Sequence, residues 1–273
     1  MKLKSKFLAG LLGLAIDIAL QSLAGGATLN PHSYWLYSSS NSLPIHGVYF
    51  VSQNTGEDLQ NPNPTSSQII TKETWLNFST ANGGEWIELG TIYGNLYSSF
   101  YSTNVTAGFR GGFIGFNGCA GLSASQCSSY SAFTDGTATN NNLTGVHSFI
   151  ARKKTDGSGN YQTYIDGNAV AMIEGYHFTV ANPIYADLGI ESSDSTNTFT
   201  NGTVAYDWWV VDPNNETNIN AGWFPLASSQ VQKFLLHNNY LNGDVSYQYP
   251  YDNGSSVPGG RVTQSNRLTY THP

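Results

Sequence analysis

The sequence predicts an all-β sandwich or jelly roll of two antiparallel sheets, and three observations carry that prediction. Helical periodicity is almost absent from the 273 residues. Short runs of Val, Ile, Tyr, Phe and Trp alternate with polar residues and are bounded by Gly, Asn, Asp and Ser. No amphipathic helices lie between the runs, as the crossovers of a parallel sheet would require. A hydrophobic content of 40 % is enough for a real core and argues against disorder.

Taken in order, strands are expected over 47–52, 68–78, 84–93, 96–103, 107–116, 145–154, 160–166, 169–174, 183–192 and 202–211. Asp156-Gly157 and Asp166-Gly167 are hairpin-turn signals. One short helix is expected over 228–241, where Val231, Phe234, Leu235 and Leu241 fit a helical face. The stretch 246–273 is rich in Tyr, Asn, Gly and Pro and reads as an extended C-terminal tail, which leaves 28–245 for a single sandwich domain. Residues 1–27 read as an export signal or an N-terminal anchor. Lys2, Lys4 and Lys6 precede a mostly apolar run from Phe7 to Leu23, broken by Asp17 and Gln21, and Ala24-Gly25-Gly26-Ala27 supplies small residues for cleavage.

Other features agree with a secreted or cell-surface location. Cys119 and Cys127 bracket a short Gly/Ser loop, the pattern of a local disulfide in an oxidising compartment. Asn77, Asn104, Asn142, Asn201, Asn215 and Asn253 each begin an Asn-x-Ser/Thr sequon and are candidate glycan sites. With Lys+Arg 11 against Asp+Glu 18, a net charge of −7 and no basic run, the chain is a poor nucleic-acid binder. Charged residues make up only 11 %. A surface of Ser, Thr, Asn, Gly and Tyr loses few solubilising groups when carboxylates protonate, so it suits acid; adhesins and virion proteins share the composition.

Two strands carry acids on the face turned away from the core. In Pro183–Glu191, Ile184, Ala186, Leu188 and Ile190 point one way, and Tyr185, Asp187, Gly189 and Glu191 the other. In Glu85–Gly90, Ile87 and Leu89 point inward, while Trp86 and Glu88 point outward. Thr203 to Val211 is apolar on both faces, and Trp208 falls in the phase opposite to Trp209. Aromatics on both faces imply a covered groove. Two glutamates in such a groove have raised, coupled pKa values and share a proton at acid pH. That pairing activates water with one carboxylate and polarises a carbonyl with its protonated partner. It requires residues 88 and 191 side by side on neighbouring strands. Glu88 and Glu191 are thus the candidate catalytic pair, with Trp86, Tyr185, Asp187 and Trp208 as candidate substrate-binding residues. Outward glutamates on strands are also commonly just solvated.

Trp86-Ile87-Glu88-Leu89-Gly90-Thr91 resembles the first site strand of the glutamic peptidases (eqolisins), roughly Leu-Ile-Gln-x-Gly-Thr. Ala186-Asp187-Leu188-Gly189-Ile190-Glu191 resembles the second, roughly Ala-Glu-Trp-Ile-x-Glu, about a hundred residues later. Asn201-Gly202-Thr203-Val204-Ala205-Tyr206 is similar to the strand that follows it. The likeness spans roughly 68–211 and implies a concanavalin-like double sheet with secreted acid endopeptidase activity. Glu88 stands where the family has glutamine; plant-type glutamic peptidases use a pair of glutamates on a related double sheet. Asp187 matches the family's first acid of the second motif, so either Asp187 or Glu191 fits the base. Asn160–Gly167 also resembles the Tyr-x-Asp-Gly hairpin of laminin-G and legume-lectin modules, which bears on the fold and not on activity.

No Gly-x-Ser-x-Gly elbow and no His-Glu-x-x-His occurs, the six histidines are scattered, and no cofactor or metal is expected. Two readings follow. One is an exported acid endopeptidase acting on polypeptide. The other is a non-catalytic surface protein: a module binding cell-surface glycan, a filament subunit or a virion component, self-assembling through extended termini.

Overall fold

The computed structural model describes residues 33–40, 43–53, 57–59, 68–78, 85–95, 109–118, 132–134, 145–192, 197–199, 202–215, 218, 220–236, 243–251, 256–257, 260–261 and 264–271. The first strands are β1 (Ser33–Ser39), β2 (Gly47–Gln53), β3 (Glu57–Leu59), β4 (Gln68–Phe78), β5 (Glu85–Asn95), β6 (Phe109–Asn117) and β7 (Ala132–Thr134). Next come β8 (Val146–Lys153), β9 (Tyr161–Ile165), β10 (Asn168–Ile173), β11 (Tyr185–Ser192), β12 (Asn197–Phe199) and β13 (Gly202–Val211). The last are β14 (Trp223–Pro225), β15 (Val231–Leu236), β16 (Asp244–Tyr251), β17 (Ser256–Val257), β18 (Gly260–Arg261) and β19 (Ser265–Thr271).

Two large antiparallel sheets form a jelly-roll sandwich. Sheet A runs β15-β1-β11-β4-β5-β6-β7, and sheet B runs β10-β9-β8-β2-β13-β19-β16 with β14 appended to β13. Consecutive strands pair in β4-β5-β6-β7 and β8-β9-β10, but pairs such as β1–β11 and β13–β19 join distant parts of the chain, so the sheets close only when the whole chain is in place. The core lies between them. Ile87, Leu89, Leu188 and Ile190 of sheet A meet Phe50, Phe149 and Val210 of sheet B there. This inward set is the one that alternation predicts for β5 and β11. The Asp166-Gly167 turn joins β9 to β10 with both residues at positive φ (51° and 76°), the requirement of a tight primed hairpin.

Three expectations are corrected. The segment 228–241 holds no α-helix among its described residues: Ser228–Gln230 is one 3₁₀ turn, and Val231–Leu236 is a strand on β1. A short apolar run has no strong intrinsic preference, and a free strand edge decides it. The stretch 246–273 is not a tail. β16 and β19 belong to sheet B, and β19 sits between β13 and β16 with Leu268 and Tyr270 buried. Gly and Asn suggested a tail, but they fall chiefly between the two strands in sequence.

The third correction concerns Trp208. Strict alternation would put Tyr206 and Trp208 on one face. The β13–β2 ladder instead shifts register between Tyr206 and Trp209, and Asp207 takes a positive φ of 57°. The bulge inserts one residue and swaps the phase. Trp208 is thereby fully buried in the core, where its indole N–H donates to Thr74 Oγ1 at 3.2 Å. It lines no groove.

Candidate active site: a carboxylate cluster on sheet A

The outer face of sheet A is best read as rows across its strands. Asn77 of β4 stands between Trp86 of β5 and Tyr185 of β11. In the next row, Trp75 stands between Glu88 and Asp187, and Asp187 faces Ser38 of β1. Then Glu73 stands between Gly90 and Gly189, and finally Thr71 between Ile92 and Glu191. Glu88, Glu73 and Glu191 therefore form a diagonal over three adjacent strands.

β4 intervenes between β5 and β11, so residues 88 and 191 are not on neighbouring strands, as the dyad expectation requires. Their side chains nevertheless converge. One carboxylate oxygen from each of Glu73, Glu88 and Glu191 lies within 4.8 Å of the others, and all three residues are buried. The glycines that flank Glu73 explain the convergence. A Cβ at Gly90 would stand 2.1 Å from the Lys72 carbonyl oxygen, and one at Gly189 would stand 2.0 Å from that of Trp35. No side chain competes with Glu73 in its row, and the longer arms of Glu88 and Glu191 reach over the vacant positions.

Glu73 is the residue that the sequence reading misses. The signal was present: in Gln68–Phe78, Glu73 shares its phase with Trp75, as Glu88 does with Trp86. The adjacent Lys72 gives the pair the look of a solvated strand surface. Lys72 instead lies in the opposite phase and is also buried.

Three carboxylates this close repel one another when ionised. Mutual repulsion and burial both favour protonation of carboxylates this close together. Among the described residues of sheet A, no Lys, Arg or His occupies an outward register position on β1, β4, β5, β6 or β11. The same three glutamates are the residues that could hold a cation.

Asp187 lies beside this cluster with 1 % of its surface exposed. Ser38 Oγ donates to its Oδ1, and Asn77 Nδ2 donates to its Oδ2 at 2.8 Å. Thr74 Oγ1 donates to its backbone carbonyl at 2.6 Å. Burial pushes the Asp187 carboxyl up to about 7, against the opposing pull of the Ser38 and Asn77 hydrogen bonds. With both oxygens already engaged inside the protein, Asp187 is a clasp between strands and not the substrate-binding group expected of it.

Trp86 is nearly buried and Tyr185 half-buried, on either side of Asn77 at one end of the cluster. Asn77 itself is unsuited to a glycan: it lies within β4, is 9 % exposed, and its amide nitrogen is the donor to Asp187. Asn215 is exposed in a 3₁₀ turn, its amide nitrogen 2.7 Å from Asp212 Oδ2. Cys119, Cys127, Asn104, Asn142, Asn201, Asn253 and segment 1–27 lie outside the described residues. No helix among the described residues is long and apolar enough to cross a membrane.

No protein-family model and no curated protein sequence matches this chain. Among solved structures, its fold is similar to that of scytalido-glutamic peptidase with a transition state analog inhibitor, at 10 % identity and a TM-score of 0.48, covering 88 % of this chain and 98 % of that one. It is also similar to SCP-B, a member of the eqolisin family of peptidases, in a complex with the tripeptide Ala-Ile-His, at 9 % identity and a TM-score of 0.42, covering 89 % and 98 %.

Proposed function

We propose that the chain is an exported acid endopeptidase whose carboxylate cluster activates water against a peptide bond. The observation that carries this reading is the meeting of Glu73, Glu88 and Glu191 within 4.8 Å on one buried face. At acid pH the cluster combines an ionised carboxylate with a protonated one, which are the two states that hydrolysis needs. Glu191 takes a proton from water as the water oxygen bonds to the carbonyl carbon. A protonated neighbour, Glu88 or Glu73, donates to the carbonyl oxygen. The tetrahedral intermediate then collapses: the C–N bond breaks, the proton taken from water passes from Glu191 to the leaving amine, and the C=O bond re-forms as its proton returns to the carboxylate that gave it. Trp86 and Tyr185, at one end of the cluster, supply apolar surface for the polypeptide on either side of the scissile bond.

The test is proteolysis of an unfolded protein substrate between pH 2 and pH 8. Glu191→Gln is expected to abolish cleavage, and Glu88→Gln or Glu73→Gln to lower it by about 10²-fold or more, since general acid–base assistance contributes on that order. Chelator should leave the activity unchanged. Full activity in Glu191→Gln protein ends the reading, and loss of activity on chelation moves the three carboxylates to cation binding.

A further inference from the structure

Asp187 is the one acid on this face whose partners are all visible and all uncharged: the Ser38 hydroxyl and the Asn77 amide. Those partners come from β1 and β4, the strands on either side of β11. β4 and β11 also carry Glu73 and Glu191. The clasp therefore includes β4 and β11, the two strands that carry two of the three clustered carboxylates. It continues into the core, because Thr74 donates to the Asp187 carbonyl while accepting from Trp208.

We propose that Asp187 is a positioning residue that clasps β1, β11 and β4 beside the cluster through a neutral carboxyl, whose Oδ1–H is given to Ser38 Oγ while Oδ2 accepts from Asn77, so that the site is held firm in acid and loosened as pH approaches neutrality. The titratable groups facing it belong to the same sheet. β4 contributes Glu73, β11 contributes Tyr185 and Glu191, and β5 contributes Glu88 one strand further on. None of these offers a positive charge. When Asp187 ionises, it gains no counter-ion from them. Burial favours its neutral form, so the folded protein binds this proton more tightly than the unfolded chain does. The associated stability is complete below the unfolded value of about 4 and is lost as pH rises toward about 7.

The inference rests on the peptidase reading for its consequence in catalysis, but its test does not. Urea unfolding of the full chain at pH 4, 5, 6, 7 and 8 should show an unfolding constant whose Asp187 component rises about tenfold per pH unit between pH 4 and pH 7. Asp187→Asn keeps the shape, with its amide oxygen toward Asn77 and its NH₂ toward the Ser38 oxygen, and should remove that component. Equal pH slopes in wild type and variant overturn the proposal. If the variant fails to fold, carboxyl ¹³C titration of Asp187 in the wild-type chain decides: a midpoint near 7 supports the clasp, and one near 4 overturns it. Absence of acid proteolysis would remove the enzymatic reading while leaving these two measurements to judge Asp187.

Discussion

The outer faces of the two sheets are both covered, and both carry aromatic and ionisable side chains, yet they are built on opposite electrostatic plans. On sheet B, Tyr49, Val51 and Trp209 form a buried cluster against Ile150, Tyr206 and Trp223. The fully buried Arg152 donates to the carbonyls of Asn218 and Ala221 at 2.8 and 2.9 Å and lies 5.1 Å over the Trp223 ring. Arg267 lies 4.4 Å over Tyr251 and donates to Gln248 at 2.8 Å. Asp207 is buried on the bulge nearby, and its charge reinforces burial in raising the Tyr49 phenol. Cations, an acid and ring faces are thus mixed, and Arg152 ends on backbone carbonyl acceptors. On sheet A, Glu73, Glu88, Asp187 and Glu191 share one face on strands that place no cation among them. The comparison separates two uses of buried polarity. A mixed network ties a cation to backbone carbonyls and ring faces, whereas a set of like charges favours bound protons or a bound cation.

The largest effect that tests this contrast comes from the glycines beside Glu73. Gly189→Ala would press a methyl group to 2.0 Å from the Trp35 carbonyl oxygen, and Gly90→Ala to 2.1 Å from that of Lys72. Both obstacles are backbone on the adjoining strand, so neither yields without parting the sheet. Each substitution is expected to destabilise the fold by more than about 3 kcal/mol, measured by urea unfolding at pH 4. The matching glycine of sheet B, Gly47, would bring a Cβ to 2.8 Å from the Ala151 oxygen. Gly47→Ala should cost less, and equal losses at the three positions would show that crowding around Glu73 is nothing special.

A smaller effect is expected on the other face. Arg152→Met removes both donors from the Asn218 and Ala221 carbonyls while keeping much of the side-chain volume. The expected loss is about 1–3 kcal/mol, since two part-buried acceptors lose a charged donor. Acid proteolysis per folded molecule should be unchanged. A specific activity that falls with Arg152→Met, at a pH where the variant remains folded, would break the division of labour between the faces.

Much of this contrast is legible in the chain because strand phase is a local property. Trp86 and Glu88 follow Ile87 and Leu89 outward by alternation alone, as Asp187 and Glu191 follow Leu188 and Ile190. What alternation cannot give is which strands become neighbours. β4 comes to lie between β5 and β11 only in the folded sheet, and that placement turns Glu73 from a surface acid into the middle of the cluster. Phase itself fails where one residue is inserted: at Asp207 the bulge sends Trp208 inward. The C-terminal strands escape notice because β19 gains its stability from pairing with β13 and β16, far away in sequence.

The smallest expected effect is an absence, and it sharpens the comparison at Asn77. Asn77-Phe78-Ser79 is a sequon by sequence, but a glycan would have to be linked to the nitrogen that donates to Asp187. Attachment replaces one of the two amide hydrogens and places a sugar against the face where Trp86 and Tyr185 flank the same residue. The acceptor is therefore lost once β4 has paired with β11. Glycosylation before folding would have to leave β4 unpaired, and such molecules would lack the Asp187 clasp. Protein secreted from a glycosylating host should carry an unmodified Asn77 by peptide mass spectrometry, and Ser79→Ala should leave the intact mass pattern otherwise unchanged. Substantial occupancy at Asn77 in folded protein would mean that its side chain points away from Asp187, and the hydrogen bond that ties β4 to the clasp would have to be abandoned.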